Sequence, residues 1–494
     1  MKQIRVLWMV AVVVAHAPLA LGQVKAPTEA DFYPMTTVPV QDDATLEAGG
    51  LEMMPDGRLA VGTRRGEIYM LENPLGEPAK MKLSLWAQGL HEILGLSYRD
   101  GWLYVTQRPE VTKTKDADGD GRADLFLTVS DEWEVSGDYH EYAFGSKFDR
   151  EGNMWLVLCL TGSFTSNVPF RGWCVRVSAD GKFIPTCAGI RSPGGIGFNA
   201  EGDVFYCDNQ GPWNGTSSLK HLVPGAFAGH PDGLKWYSLP LVQQVLGKAP
   251  QAPQDKSRSH VEMEKIPQYR PPAVLLPHGI LGNSASGIAG DDTEGRFGPF
   301  RGQLFVSDQS FSIVNRVFLE KIAGMYQGVV FPFRAGFSSG NVPSLMTPNG
   351  SLFIGGTNRG WGSRGGKQGA VDRLDWSGKV PFEAHEMRVK PDGFELTFTK
   401  PIDKASAADL KSYQIRTWTY IFQAQYGSPE VDPTTPTIKS ATVADDAMSV
   451  RLVIDGLQIG HIHHLAMPGL RSKDEGWPLL HKDAYYTIWH LPKG

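Results

Sequence analysis

The chain has 494 residues and a formal net charge of −5, with charges of both signs spread along it. That pattern excludes the concentrated basic face that nucleic-acid binding requires, and the length is about three times a typical domain. Its 56 glycines and 34 prolines, beside plentiful Trp, Tyr and Phe, indicate a turn-rich, all-β protein.

Residues 1–22 read as a secretion signal. Lys2 and Arg5 give a positive start, residues 6–14 form an apolar run too short to span a bilayer, and Ala20-Leu21-Gly22 supplies small residues before cleavage at Gln23. No cysteine follows to carry a lipid anchor, and no other run is a candidate membrane span. The mature protein is expected to be periplasmic or secreted.

One pattern then recurs: an acidic residue, Arg or Asn, then Gly, then any residue, then an apolar strand. It occurs at Asp56-Gly57, Asp100-Gly101, Glu151-Gly152, Glu201-Gly202, Arg301-Gly302 and Asn349-Gly350. The glycines are 44, 51, 50, 100 and 48 residues apart. A turn followed by a β-branched and aromatic strand is a hairpin signal, and six at a period near fifty imply a radial array of sheets. The expectation is a six-bladed β-propeller over 23–382, with a Pro-rich polar insertion at about 233–270 in the wide gap.

Within the second repeat, Asp116-Ala117-Asp118-Gly119-Asp120-Gly121-Arg122-Ala123-Asp124 places carboxylates at positions 1, 3, 5 and 9 and Gly at 6. That oxygen-rich spacing suits calcium, although Leu127 stands where an EF-hand carries Glu. An acidic turn without metal is the plainer alternative.

The third and fourth repeats hold the other candidates. His140 precedes one strand, Arg191 precedes the next, and Gly211-Pro212 leaves it. Equivalent segments of successive blades line the same end of the axial channel, so these residues are expected to converge. An imidazole to take a proton, a guanidinium to hold a carboxylate and carbonyls for a cation would suit a redox site around an acidic cofactor. Arg359 beside Trp361 follows the sixth repeat strand and is a candidate for an anionic cofactor or a sugar. A Gly-rich turn with a packed Trp explains that stretch equally well.

Four cysteines fall here: Cys159, Cys174, Cys187 and Cys207. Cys174 and Cys187 sit at equal distances from Asp180-Gly181, opposite each other in a hairpin. Disulfides and buried free thiols both remain open, and no C-x-x-C-H haem motif is present.

After Pro381 the chain alternates polar and apolar residues in short strands, which suggests an immunoglobulin- or fibronectin-like β-sandwich over 383–494 with no chemistry of its own. His461 and His463 would share a strand face there as a metal pair or, more plainly, as strand histidines beside His464.

His140-Glu141-Tyr142-Ala143-Phe144-Gly145, Gly189-Ile190-Arg191-Ser192-Pro193-Gly194-Gly195 and Asn209-Gln210-Gly211-Pro212 resemble motifs of the glucose/sorbosone dehydrogenases. Those are six-bladed propellers that use pyrroloquinoline quinone (PQQ) and calcium. More closely, with Asn358-Arg359-Gly360-Trp361 and Tyr426-Gly427-Ser428-Pro429-Glu430, the chain resembles exported dehydrogenase-like propellers of planctomycete and verrucomicrobial bacteria. The resemblance implies His140 as the base that takes a sugar hydroxyl proton. It implies Arg191, Gln210 and, by position, Arg316 as cofactor contacts, and the carbonyls of Gly211 and Pro212 as calcium ligands. Ser192 stands where the family has asparagine.

The first reading is therefore an exported PQQ- and calcium-dependent dehydrogenase of a sugar or related alcohol, needing a separate electron acceptor such as a cytochrome. The alternative is a non-catalytic propeller with a degenerate cofactor site that binds carbohydrate or protein. A metal-dependent hydrolase would need Glu92, Glu141 and Asp208 to converge on the axis.

Overall fold

The computed structural model describes residues 26–40 and 44–493, so the secretion signal expected at residues 1–22 lies outside the described residues. Among the described residues, six antiparallel sheets follow one another along the chain, five of four strands and the fifth extended to eight. Their first strands are Ala48–Met53, Leu96–Arg99, Ala143–Phe148, Pro193–Phe198, Ala285–Gly290 and Asn341–Met346. Each first strand packs on the next, and the last packs on the first. The ring is closed, a six-bladed β-propeller. Its sixth sheet takes its outer strand from Met35–Thr37, with Met35 opposite Leu374 and Thr37 opposite Asp372.

The sequence repeat has a local cause. Gly57, Gly101, Gly152, Gly202, Gly302 and Gly350 all lie between first and second strands, with φ between 79° and 89°. Only glycine takes that left-handed conformation without a Cβ penalty. The repeat is thus one left-handed turn per blade.

The segment between the strands Ser218–His221 and Val274–Leu275 is helical, with Pro231–Ser238, Pro240–Leu246 and Ser259–Lys265. Tyr237, Val242, Ile266 and Tyr269 anchor it in the core of the third sheet. The four cysteines are buried free thiols, although Cys174 and Cys187 do face each other in register.

The C-terminal strands form two layers. Ala384–Lys390, Gly393–Phe398, Ser449–Asp455 and Thr437–Val443 make one sheet. Gln414–Tyr420, Glu430–Thr434, Ile462–Ala466 and Asp483–Thr487 extend the fifth propeller sheet to eight strands. The junction pairs Gly328 with Thr487, Val329 with Tyr486 and Val330 with Tyr485. Phe318, Val329 and Phe331 of the propeller share one core with Phe394, Leu396, Leu452 and Leu465. An outer edge that would otherwise stand open becomes a joint.

Arg316 belongs to this joint, which corrects its expected place at a cofactor. It is fully buried, and its guanidinium donates to the carbonyls of Ala384 at 2.6 Å and His385 at 2.9 Å, between the rings of Phe300 and Phe331. Nη1 also donates to Gln303 Oε1 at 2.5 Å, so both terminal nitrogens are occupied away from the cavity. The three C-terminal histidines also take separate partners. His461 Nδ1 meets Thr417 Oγ1 at 2.6 Å, His463 Nε2 accepts the Gln458 N–H at 3.1 Å, and His464 Nε2 meets Asp483 at 2.8 Å.

A buried histidine clamps the same joint. His481 Nδ1 lies 2.6 Å from Glu383 Oε1 and its Nε2 lies 3.0 Å from Glu29 Oε1. Burial opposes its charge, but the field of Glu383 and the hydrogen bonds to Glu29 and Glu383 outweigh that and raise its pKa to about 9. The folded state therefore binds the proton more tightly than the unfolded chain. The stabilisation is complete below about pH 6.5 and is lost as pH rises through about 9. His481→Gln is expected to cost roughly 3 kcal/mol at neutral pH and to flatten the fall in melting temperature on the alkaline side. Equal melting curves for wild type and variant from pH 6 to 10 would exclude the clamp.

Candidate functional site

Two sets of segments reach one end of the axial channel. Loops entering first strands bring Tyr139, His140 and Tyr142, then Arg191 and Ser192, then Asn283 and Ser284. Residues just past second strands bring Arg64, Asn209 and Gln210, Gln309 and Ser310, and Arg359. Together they line a cavity of about 460 Å³, within the range of small-molecule sites. Three arginines face it, and among the described residues no Asp or Glu does. A second cavity of about 360 Å³ continues along the axis, and the two share Leu94, Phe144, Gly194 and Val342 as a collar. The blades meet tightly there: a Cβ on Gly194 would stand 2.1 Å from the Ala285 carbonyl oxygen.

His140 is buried at the centre of the wall. Its Nδ1 lies 2.9 Å from the Leu160 carbonyl oxygen and its Nε2 lies 3.2 Å from Ser192 Oγ. A carbonyl oxygen only accepts, so Nδ1 carries the proton and Nε2 keeps a lone pair, to which the Ser192 hydroxyl donates. Asp138 Oδ1 fixes the loop by accepting the backbone N–H groups of His140 at 2.8 Å and Gly162 at 2.9 Å. Burial pushes the His140 pKa below its ordinary value, the Leu160 hydrogen bond opposes this, and the Arg191 charge adds to the lowering. The imidazole is neutral at pH 7 and able to accept a proton.

Arg191 is 3% exposed. Its Cζ lies 4.1 Å from the Phe164 ring centroid and 5.2 Å from that of Tyr426. Phe164 is held at φ 59°, a left-handed conformation that costs a bulky residue about 1–3 kcal/mol. Burial lowers the Arg191 pKa, while Asp208 and Tyr426 oppose the shift. Nη1 reaches the Asn209 carbonyl at 3.4 Å, but Nε has no partner. Asn209 Oδ1, on the same wall, is a buried acceptor without a partner. Buried polar atoms without a protein partner are places where a ligand or an ordered water completes the hydrogen bonding. Behind the wall, Asp208 accepts the Ser192 N–H at 2.8 Å and the Lys220 ammonium at 3.0 Å.

At the mouth, Glu92 pairs with Arg64 at 3.0 Å and Arg108 at 2.9 Å. Those two guanidiniums hold the Tyr142 ring between them. Arg359 pairs with Glu47 at 3.0 Å.

His140, Arg191, Gln210 and Arg359 thus come together as the sequence suggested. Gly211 and Pro212 do not line the cavity. The Gly211 carbonyl accepts the Asn214 N–H at 3.1 Å in a tight turn. A Cβ on Gly211 would stand 2.2 Å from Arg191 Cζ, so this glycine makes room for the guanidinium. Asp116, Asp118 and Asp120 do converge, with carboxylate oxygens within 4.8 Å of one another. They sit on the turn between the outer strands of the second sheet, away from the cavity. Asp124 lies outside that group and accepts the Ala117 N–H at 2.8 Å. The candidate hydrolase carboxylates do not meet: Glu92 holds arginines, Asp208 holds Lys220, and Glu141 accepts the N–H and hydroxyl of Ser136 at 2.7 and 2.9 Å.

Phe164, Asn209 and Tyr426 were missed as site residues. A signal for Asn209 existed, because Asp208-Asn209-Gln210 and Asp308-Gln309-Ser310 leave equivalent strands. Tyr426 begins a stretch that carries the resemblance, but nothing in it showed that a residue of the C-terminal layers reaches the cavity.

No protein-family model matches the chain, and no curated protein matches it. Among solved structures it is similar to an oxidoreductase from Thermus thermophilus described as a glucose dehydrogenase, with a TM-score of 0.50 and 18% identity over 69% of this chain and 99% of that one. It is also similar to the PQQ-bound aldose sugar dehydrogenase of Streptomyces coelicolor, with a TM-score of 0.46 and 13% identity over 71% of this chain and 99% of that one. The chain has a glucose/sorbosone dehydrogenase-like propeller fold. The likeness to the Thermus protein establishes that fold alone.

The geometry of His140 gives a direct prediction. Its imidazole should titrate below about pH 6.5, as read from histidine NMR signals assigned with His140→Gln. A value at or above that would mean the ring is solvated rather than buried in the wall.

Proposed function

We propose that this cavity holds PQQ and that the protein, exported from the cell, oxidises a sugar or related alcohol there. The observation that carries the reading is a neutral, buried imidazole beside a buried guanidinium with an unpaired Nε, on a wall free of carboxylates. A planar polycarboxylic acid needs such a wall. Arg191 would anchor one carboxylate from below, with Gln210 beside it. Asn209 Oδ1 offers calcium an oxygen ligand. The carbonyls of Gly211 and Pro212 remain proposed ligands, Gly211 with the one lone pair its turn leaves over.

When bound, the quinone supplies the acceptor for the hydride that leaves the substrate carbon. The chain's own residues handle the proton. The substrate hydroxyl takes the place of Ser192 Oγ at His140 Nε2, or passes its proton through it. The Leu160 carbonyl holds Nδ1–H and steadies the imidazolium that forms. The aromatic rim limits water at the mouth. Turnover also requires a separate electron acceptor such as a cytochrome.

A binding-only reading draws on the aromatic clamp, since Phe164 and Tyr426 cover the guanidinium that a quinone carboxylate would approach. Titration of metal-free protein with PQQ and calcium, followed by dye reduction on a panel of sugars, separates the two. The expected result is stoichiometric binding and dye reduction that falls at least 10²-fold in His140→Gln. No binding at micromolar PQQ would leave the binding-only reading.

The 116–124 loop is proposed as a structural calcium site independent of the cavity. Chelation should lower the melting temperature by a few degrees, and Asp120→Asn should abolish that response while leaving PQQ binding intact. A melting temperature indifferent to chelator in the wild type would rule the site out.

A further inference from the structure

Among the described residues, four large aromatic side chains are exposed: Phe126, Tyr139, Trp361 and Tyr426. Three of them rim this one cavity. Tyr139 and Trp361 approach each other at 6.1 Å, and both flank His140, at 5.9 and 6.2 Å between ring centroids. Tyr426 closes the opposite side against Phe164 at 5.6 Å. Exposed rings gathered around one cavity mark a binding surface. Flat aromatic faces around a polar centre suit the C–H faces of a pyranose.

Tyr426 is not a loose tip. Its loop is held by Ser257, whose backbone exchanges hydrogen bonds with Phe422 at 3.0 and 3.0 Å, and by the Trp213 N–H, which donates to the Gln423 carbonyl at 2.7 Å. The propeller insertion and the C-terminal layers therefore build this wall jointly.

The charge of the rim then narrows the ligand. Arg64 and Arg359 front the cavity, while their counter-ions Glu92 and Glu47 lie outside its lining. The Arg359 side chain is 46% exposed; Nη1 pairs with Glu47 at 3.0 Å and Nε lies 3.9 Å from Glu92, leaving Nη2 without a hydrogen-bond partner among the described residues. Neutral sugars offer as many donors as acceptors, and a wall without carboxylates meets their donors poorly. An anion is met well.

We propose that the mouth is a subsite for an anionic carbohydrate, a pyranose stacked between Trp361, Tyr139 and Tyr426 with its carboxylate or sulfate on Arg359. The inference deepens the function proposed above and shares its cavity. Arg191 lies deeper and is left to the cofactor.

The test is equilibrium binding without PQQ, read by tryptophan fluorescence and calorimetry. Trigalacturonate is compared with its methyl ester, and galactose 6-sulfate with galactose. The acid form of at least one pair should bind ten times more tightly or better, and the responsive pair tells carboxylate from sulfate. Arg359→Gln should reduce that ratio to near one, Arg359→Lys should retain part of it, and Trp361→Ala and Tyr426→Ala should weaken the acid ligand at least fivefold. Because Trp361 and Tyr426 are exposed, their variants should melt like the wild type. Equal affinity within both pairs, an unchanged ratio in Arg359→Gln, or no binding at millimolar probe overturns the proposal. Binding of the acid without any PQQ-dependent dye reduction would sink the oxidation and leave the subsite standing; oxidation of neutral sugars with no preference for acids would do the reverse.

Discussion

Three cross-strand pairs, Gly328 with Thr487, Val329 with Tyr486 and Val330 with Tyr485, carry the relation between the two halves of the molecule. Gly328 is required at this seam, since a Cβ there would stand 2.1 Å from the Phe318 carbonyl oxygen. Once the fifth sheet runs on into the C-terminal strands, one core serves both, and the position of every C-terminal loop is set. The nearly buried His481 and the buried Arg316 guanidinium are then stabilised, because each finds an acceptor supplied by the other half of the molecule, Glu29 and the His385 carbonyl. The Tyr426 loop reaches the channel mouth for the same reason.

The site inherits its chemistry from two properties of the ring. Repetition delivers polar residues to one end of the axis from nearly every blade, so groups far apart in sequence meet without any long loop. Burial then differentiates them. His140 loses its charge because desolvation outweighs its single carbonyl contact. Arg191 keeps a full set of donors but finds too few acceptors. At the mouth both Arg64 and Arg359 keep a carboxylate nearby, and Arg359 keeps solvent as well. A proton acceptor and a deep cation, both buried, are thereby set beside a half-exposed cation at the mouth.

The propeller was legible because its repeat is a backbone requirement written as glycine, once per blade. The convergence of His140 and Arg191 followed from that repeat without any knowledge of side-chain direction. What stayed hidden depended on contacts across long sequence separations. The three-residue strand Met35–Thr37 is too short to carry a pattern. Arg316 lies on a strand whose two faces read alike in sequence, and only the seam shows which acceptors await it. The Pro-rich insertion reads as loop, yet Pro231 and Pro240 sit in the first turns of helices, where proline is tolerated. Gly211 was read for its carbonyl, and the room it leaves for the Arg191 guanidinium has no signal in the sequence.

The borrowed strand of the sixth sheet also sets the order in which the molecule can be assembled. Thr37 meets Asp372 across 335 residues, a loop closure that no local contact can anticipate. Until it forms, the sixth sheet lacks its outer strand and the two ends of the ring are not tied together by strand pairing. Such long-range pairing places this chain among slow folders. The cavity is therefore a late product of folding: its walls come into register only when the oldest and youngest blades of the nascent chain find each other.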